Sequence, residues 1–214
     1  QMLADRFAPD AGRLAEAAQA YAAAPDAHTL ARLQEEAEPP RQELFRRLNL
    51  APGGTAELVR LRERLLPLVR TGGDGLLSVD LDLQHLFGSW FNRGFLVLKP
   101  INWDTSARVL EKIIAYEAVH AIDDWSALRE RLEPDDRRCF AFFHPSIPDD
   151  PLIFVEVALT REIPAKIDTV LATDREKIAP EDAQTAVFYS ISNCHKGLAG
   201  VSFGSRSEER RVGK

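Results

Sequence analysis

Near residue 90 the apolar residues of this 214-residue chain change their period, and that change limits the fold more than any single motif does. Before it, apolar residues recur at helical spacing. Leu14, Ala17, Ala18 and Tyr21 fall at i, i+3, i+4 and i+7, and so share one helical face. Pro25-Asp26 breaks that helix, with Asp26 placed to cap the next, which Pro39-Pro40 stops. A third helix over Arg41 to Leu48 presents Leu44, Phe45 and Leu48. Pro52-Gly53-Gly54 is a turn, and Thr55 is the expected N-cap of a fourth helix striped by Leu58, Leu61, Leu65 and Leu68. Thr71 to Gly75 reads as a flexible break. A fifth helix is expected over Ser78 to Asn92, with Leu81, His85, Leu86 and Trp90 inward. These segments predict a helical bundle over residues 1–88.

After that point short apolar runs dominate. Phe95 to Leu98 reads as a strand. Thr105 or Ser106 caps a helix carrying Val109, Leu110, Ile113 and Ile114, and Asp123 or Asp124 caps another over Trp125 to Leu132. Cys139 to Phe143 and Leu152 to Leu159 read as an antiparallel pair joined by the stiff, polar stretch His144 to Pro151. A helix over Ile163 to Thr173 and a strand over Thr185 to Ser192 follow. The fold class expected is therefore α+β, a helical domain followed by a mixed α/β domain over residues 89–204.

Composition narrows the function classes. A formal net charge of −6 lacks the basic face of a general nucleic-acid binder. No run approaches the roughly 20 apolar residues of a membrane span. Two cysteines, Cys139 and Cys194, make neither a disulfide framework nor a four-ligand zinc site, and a reducing cytoplasm is the expected location. Nothing near Gln1 reads as a targeting leader.

One local pattern carries chemistry. The strand ending at Ser192 runs into His195-Lys196-Gly197-Leu198-Ala199-Gly200-Val201, a glycine-bearing loop before an expected helix. Glycines let backbone N–H groups approach a ligand, and a lysine beside them suits a pyrophosphate. The same pattern also occurs in plain strand-to-helix turns. His144, at a strand end before a proline, reads as a solvated or capping residue before it reads as an acid–base group. Glu156 shares a strand face with Leu152, Phe154 and Ala158. Buried, it could serve as a base, but a partly wet face or pairing with an arginine is the expected outcome. Cys194 beside His195 lacks a third partner for nucleophilic catalysis, and Cys139 reads as a small core residue. His28, His85 and His120 have no metal-ligand spacing, and Asp135 to Arg138 reads as a solvated turn.

The second half resembles the malonyl-CoA decarboxylase family. Carrying the resemblance are Trp90-Phe91-Asn92-Arg93-Gly94-Phe95-Leu96, Ile101-Asn102-Trp103-Asp104-Thr105, Leu110-Glu111-Lys112-Ile113 and Tyr116-Glu117-Ala118-Val119-His120. Trp125, Arg137-Arg138-Cys139-Phe140, Phe143-His144-Pro145, Pro151-Leu152-Ile153, Val157-Ala158-Leu159-Thr160 and Phe188-Tyr189-Ser190-Ile191-Ser192 follow in order, then Lys196-Gly197-Leu198-Ala199-Gly200-Val201. The resemblance covers about residues 85–204, and the helical first part agrees with it in type. It implies a helical domain joined to an acetyltransferase-like (GNAT) catalytic domain, and conversion of malonyl-CoA to acetyl-CoA and carbon dioxide in fatty-acid metabolism. It further implies no metal, biotin or pyridoxal phosphate, homo-oligomers through the helical domain, and CoA binding by His195 to Val201, where the family can carry glutamines at 195 and 196. The family's catalytic serine and histidine are expected beyond the part present here, so no catalytic residue is assigned and this chain alone is expected to be an inactive fragment. Residues 205–214 depart from the family and read as a foreign tail. Two other readings stay open: an acyl-CoA N-acyltransferase using Glu156, and a non-catalytic helical interaction module.

Overall fold

The computed structural model describes residues 2–71 and 73–201, so the expected tail and any helix after Val201 lie outside the described residues. The described residues divide into two compact units, 2–92 with 197–201, and Arg93–Lys196.

The first unit is helical: α1 (Met2–Arg6), α2 (Ala11–Ala23), α3 (Ala27–Ala37), α4 (Pro40–Leu50), α5 (Gly54–Val69) and α6 (Gly73–Trp90). Asp10 caps α2, and Asp26 caps α3 in a reciprocal box with Thr29. Thr55 is not a cap. Gly53, at φ 74°, ends the turn, α5 begins at Gly54, and the buried Thr55 hydroxyl donates to Asn49 Oδ1 at 2.8 Å. The leucine stripe of α5 is also corrected. Leu58, Val59, Arg62 and Leu65 are buried, whereas Leu61 and Leu68 are exposed. Helix α6 starts five residues before the expected Ser78 and buries Val79, Asp80, Asp82, Leu83, Leu86 and Phe87, so that of the residues expected inward Leu86 alone is buried. Leu81 and His85 are exposed and Trp90 is half-buried. Buried ion pairs set that phase. Arg41 meets Asp82, which also accepts from Gln42 Nε2 at 2.6 Å, and Arg62 Nε donates to Asp80 Oδ1 at 2.7 Å.

The second unit runs from a 3-10 turn, Arg93–Phe95, into β1 (Val97–Ile101), so the expected first strand begins two residues late. Helices α7 (Ala107–Tyr116) and α8 (Trp125–Leu132) follow, then β2 (Arg137–Phe143), β3 (Ile153–Thr160), α9 (Ile167–Leu171) and β4 (Thr185–Asn193). Asp124 caps α8. The helix expected over Ile163 to Thr173 shrinks to α9, because Pro164 keeps the preceding chain extended. The sheet is antiparallel throughout, in the order β1-β2-β3-β4. Alternate residues of β2 turn Cys139, Ala141 and Phe143 toward Val109, Leu110 and Ile113 of α7 and Leu128 and Leu132 of α8, which form one core with Phe154 of β3. Between β3 and β4 the register slips. Glu156 pairs with Ser190 but Val157 pairs with Phe188, so Tyr189 is a bulge residue. Tyr189 and Ser190 are consequently both buried, where strict alternation would expose one of them.

Candidate functional site

The stretch His195 to Val201 crosses from one unit to the other, and each part is held by different residues. In the second unit, Cys194 N–H donates to Leu152 O at 2.9 Å and closes β4 against the start of β3. The His195 ring then lies 5.7 Å from Tyr116, and its Nε2 is 3.4 Å from Asp150 Oδ1. Lys112 of α7 reaches Asp150 Oδ2 at 2.8 Å and donates to Asp149 O. Burial pushes the Asp150 carboxyl up, but the nearby His195 ring and Lys112 ammonium outweigh it and hold the group below its ordinary value. Lys196 is exposed.

Lys196–Leu198 is a single 3-10 turn, and in the first unit its Gly197 and Leu198 are buried. Gly197 is glycine because of its packing. A Cβ there would lie 2.1 Å from the Val59 carbonyl oxygen of α5. Arg62 Nη1 donates to Gly197 O and Ala199 O, each at 2.8 Å, and Gln84 Nε2 donates to Gly200 O at 2.9 Å. Gly200 sits at φ 75°, where a side chain would be strained. Every peptide described is trans, so a carbonyl aimed at Arg62 turns the next N–H the opposite way. Ala199 O on Arg62 thus aims the Gly200 N–H away from the guanidinium. Gly200 and Val201, with Leu81, Gln84, His85 and Ser89 of α6, line an open groove of about 550 Å³. His85, expected in the core, is part of that wall.

Gly197→Ala is expected to destabilise the first unit by about 1–3 kcal/mol, since the new methyl meets backbone that must move. Urea unfolding of the variant beside the wild type measures it, and unchanged stability would show that α5 yields freely at Val59.

The remaining candidates are placed as follows. Glu156 is fully buried and pairs with Arg131 Nη1 at 2.7 Å, as expected of a carboxylate on that face. Burial raises its pKa despite Arg131, yet with no exposed surface it has no route to an amine substrate, which removes the carboxylate the acyltransferase reading needed. The Cys194 and Cys139 thiols are free, buried and pushed up by desolvation, so neither is a ready nucleophile. His144 is buried, not solvated, and its Nδ1 accepts from Ser146 N–H at 3.2 Å across a tight turn. His28 is exposed, and the His120 ring lies 6.4 Å from Tyr189. The turn at Asp135 to Arg138 is only half solvated, since Asp136 and Arg137 are buried. Sequence reasoning did not find Asp150, Lys112, Tyr116, Arg62 or Gln84. The two aspartates before Pro151 were a visible signal for Asp150, whereas Arg62 looked like an ordinary surface charge on a helix.

Two family models match the chain: "Malonyl-CoA decarboxylase N-terminal domain" over residues 7–91 and "Malonyl-CoA decarboxylase C-terminal domain" over residues 94–207. Mitochondrial malonyl-CoA decarboxylase of Anser anser anser is 39% identical over 175 residues, 79% of this chain and 34% of the relative. The Rattus norvegicus enzyme is 36% identical over 76% of this chain, again 34% of the relative. Among solved structures, malonyl-CoA decarboxylase from Agrobacterium vitis superposes with a TM-score of 0.89 at 59% identity, covering 95% of this chain and 49% of that one. The Rhodopseudomonas palustris structure gives 0.87 at 57% identity with the same coverage. The chain therefore spans about half the length of these solved relatives and about a third of the curated ones.

Proposed function

This chain belongs to the malonyl-CoA decarboxylase family, and on that premise we propose that it forms part of a carboxy-lyase that converts malonyl-CoA to acetyl-CoA and carbon dioxide in fatty-acid metabolism. The observation that carries this reading is the match of both family models along the chain. In this reaction the bond between the malonyl C2 and its carboxylate carbon breaks. The electron pair moves into the thioester as an enolate, carbon dioxide leaves, and a proton from an acid or water returns to C2. The thioester carbonyl is itself the electron sink, so the reading requires no metal, biotin or pyridoxal phosphate. What the protein must supply is a grip on the CoA moiety, donors for the enolate oxygen and a poorly solvated place for the carboxylate.

The role proposed for this chain is the grip, by His195, Lys196, Gly197, Leu198, Ala199, Gly200 and Val201. The Gly200 N–H, turned away from Arg62, and the exposed Lys196 ammonium support it, because both suit a phosphate. Gly197 supports it only indirectly, by letting the loop seat on α5. No residue here is proposed as the catalytic acid or nucleophile. The order β1-α7-α8-β2-β3-β4 in one antiparallel sheet supports an acetyltransferase-like fold for the second unit. A second copy of the chain is the proposed oligomeric partner, through helices such as α3, which buries none of its own residues and leaves Leu30 exposed. The net charge of −6 supports no nucleic-acid partner, and no described helix is long and apolar enough to cross a membrane. The cytoplasm is the proposed location, supported by two free thiols. The goose and rat relatives are described as mitochondrial, and imaging a tagged form in its own cell decides between the two.

Lys196→Gln is expected to weaken CoA binding about fivefold, the worth of one charge-assisted contact at an exposed site. Calorimetric titration of CoA into the chain measures it, and an unchanged affinity removes Lys196 from the site. The activity itself is tested by carbon dioxide release from malonyl-CoA, with this chain and with a form extended to the length of the solved relatives. Release by neither overturns the reading.

A further inference from the structure

In the second unit, a small cavity of about 90 Å³ opens between α8, the start of β2, the bulge of β4 and the segment after α9. None of the residues His195 to Val201 lines it. Its polar wall is made almost wholly of donors. Arg131, Arg137 and Arg175 reach it from three different elements, with the Tyr189 hydroxyl beside them.

The existing partners do not saturate these donors. Arg137 Nη2 donates to Val170 O, and its Nη1 donates to Asp136 O at 3.2 Å and lies 3.7 Å from Asp136 Oδ2. Arg175 Nη2 donates to the other oxygen of the same carboxylate at 3.0 Å. One aspartate thus serves two guanidinium groups. Arg131 is taken by Glu156 and by the carbonyls of His120 and Ala121. Glu130 also reaches the wall, but it is paired with Lys177 at 3.0 Å. One buried donor is left over: Arg175 Nη1, on a side chain 10% exposed, has no hydrogen-bond partner among the described residues. The Tyr189 hydroxyl, on a residue 7% exposed, has beside it only the Glu156 carboxylate, which Arg131 already holds. Burial of such donors is unfavourable unless something accepts from them. Burial, with the neighbouring Arg175 charge, lowers the Arg137 pKa against the opposing pull of Asp136 and Glu156.

We propose that this cavity is a binding site for a small oxyanion, a phosphate or carboxylate group held by Arg175 and the Tyr189 hydroxyl beside Arg137. The bulge in β4 is what makes the site. Without the extra residue, strict alternation along β4 would not turn both Tyr189 and Ser190 to the covered face. The guanidinium of Arg175 supplies a fork suited to two oxygens, and the phenol supplies a third donor from another direction. A ligand there would tie the segment after α9 to β2 and β4, so binding reads out as stability.

The test is thermal unfolding of the full chain with inorganic phosphate, acetate or chloride, at constant ionic strength. Phosphate or acetate is expected to raise the midpoint by about 3–6 °C at ten times its dissociation constant, with a saturating concentration dependence. Whichever anion saturates at lower concentration identifies the ligand as tetrahedral or planar. Tyr189→Phe keeps the ring and removes one donor, and is expected to weaken the apparent affinity roughly five- to tenfold. Arg175→Gln is expected to abolish the anion-dependent shift. An equal shift with chloride, no shift with either oxyanion, or a full shift retained in Tyr189→Phe overturns the proposal and leaves the cavity to water.

Discussion

Replacing Arg62 with methionine is expected to lower the unfolding free energy by about 3–5 kcal/mol, one of the two largest single-residue effects expected in the chain. Methionine has nearly the length and shape of the arginine stem, so the loss is electrostatic and not a cavity. Three acceptors lose their donor together: the Asp80 carboxylate and the carbonyls of Gly197 and Ala199. Asp80 is itself buried, and a buried carboxylate without its counter-charge is the costly part. Asp80→Asn is the matched control. It keeps an acceptor for Arg62 Nε, and the two carbonyl contacts remain, so about 1–2 kcal/mol is expected. Chemical unfolding of the two variants separates these values. Equal losses would mean that the carbonyl contacts contribute nothing, and that the loop does not depend on the clamp. On the proposed CoA grip, Arg62→Met is also expected to weaken CoA binding, because the Gly200 N–H loses its fixed direction.

Arg131→Met is expected to lose a similar amount, with a pH dependence that comes from Glu156. Burial already raises the Glu156 pKa above the ordinary carboxylate value, against the opposing pull of Arg131. The folded chain therefore binds that proton more tightly than the unfolded chain. Stability from this group falls as pH rises between the ordinary carboxylate value and the raised one. Removing Arg131 removes the strongest opposing influence, so the Glu156 pKa climbs further and the window extends upward. The loss should approach about 3–5 kcal/mol at pH 8 and shrink at pH 5, where protonation neutralises the stranded carboxyl. The residue of the effect at low pH belongs to the carbonyls of His120 and Ala121, which Arg131 also holds. Urea unfolding at the two pH values measures it, and an equal loss at both would show that Glu156 is not charged in the folded state.

These same buried charges explain where the sequence could be read and where it could not. Helices were legible wherever a cap and a period coincided, as at Asp26 before α3 and Asp124 before α8. Helix α6 was placed in the wrong phase because a reader assigns aspartates to solvent, and here Asp80 and Asp82 point inward to Arg62 and Arg41. The stripe on α5 failed for the reciprocal reason. Arg62 occupies the inward position, and Leu61 and Leu68 turn outward. The antiparallel pairing of β2 with β3 was legible from two apolar runs and a stiff linker. The bulge at Tyr189 was not, since no glycine or proline marks it and one extra residue leaves no trace in the apolar pattern. The loop at 195–201 was found for its glycines. Gly200 has the left-handed backbone that argument anticipates, but Gly197 is required by the carbonyl of Val59, a contact 138 positions away in sequence.

That bulge also governs how β4 can be read from outside. Among the described residues β4 ends the strand order, and its far side presents a row of backbone donors and acceptors. An uninterrupted row would accept an incoming strand in many registers, sliding two residues at a time. With Tyr189 inserted, the row becomes two short segments, Thr185 to Phe188 and Ser190 to Asn193, out of step with each other. A partner strand that bonds along both must carry a matching irregularity or span the step, and a shifted one satisfies a single segment. The edge therefore works as a key with one notch, which admits a strand in one alignment and discourages the promiscuous stacking that a smooth edge bearing Phe188 and Ile191 would invite.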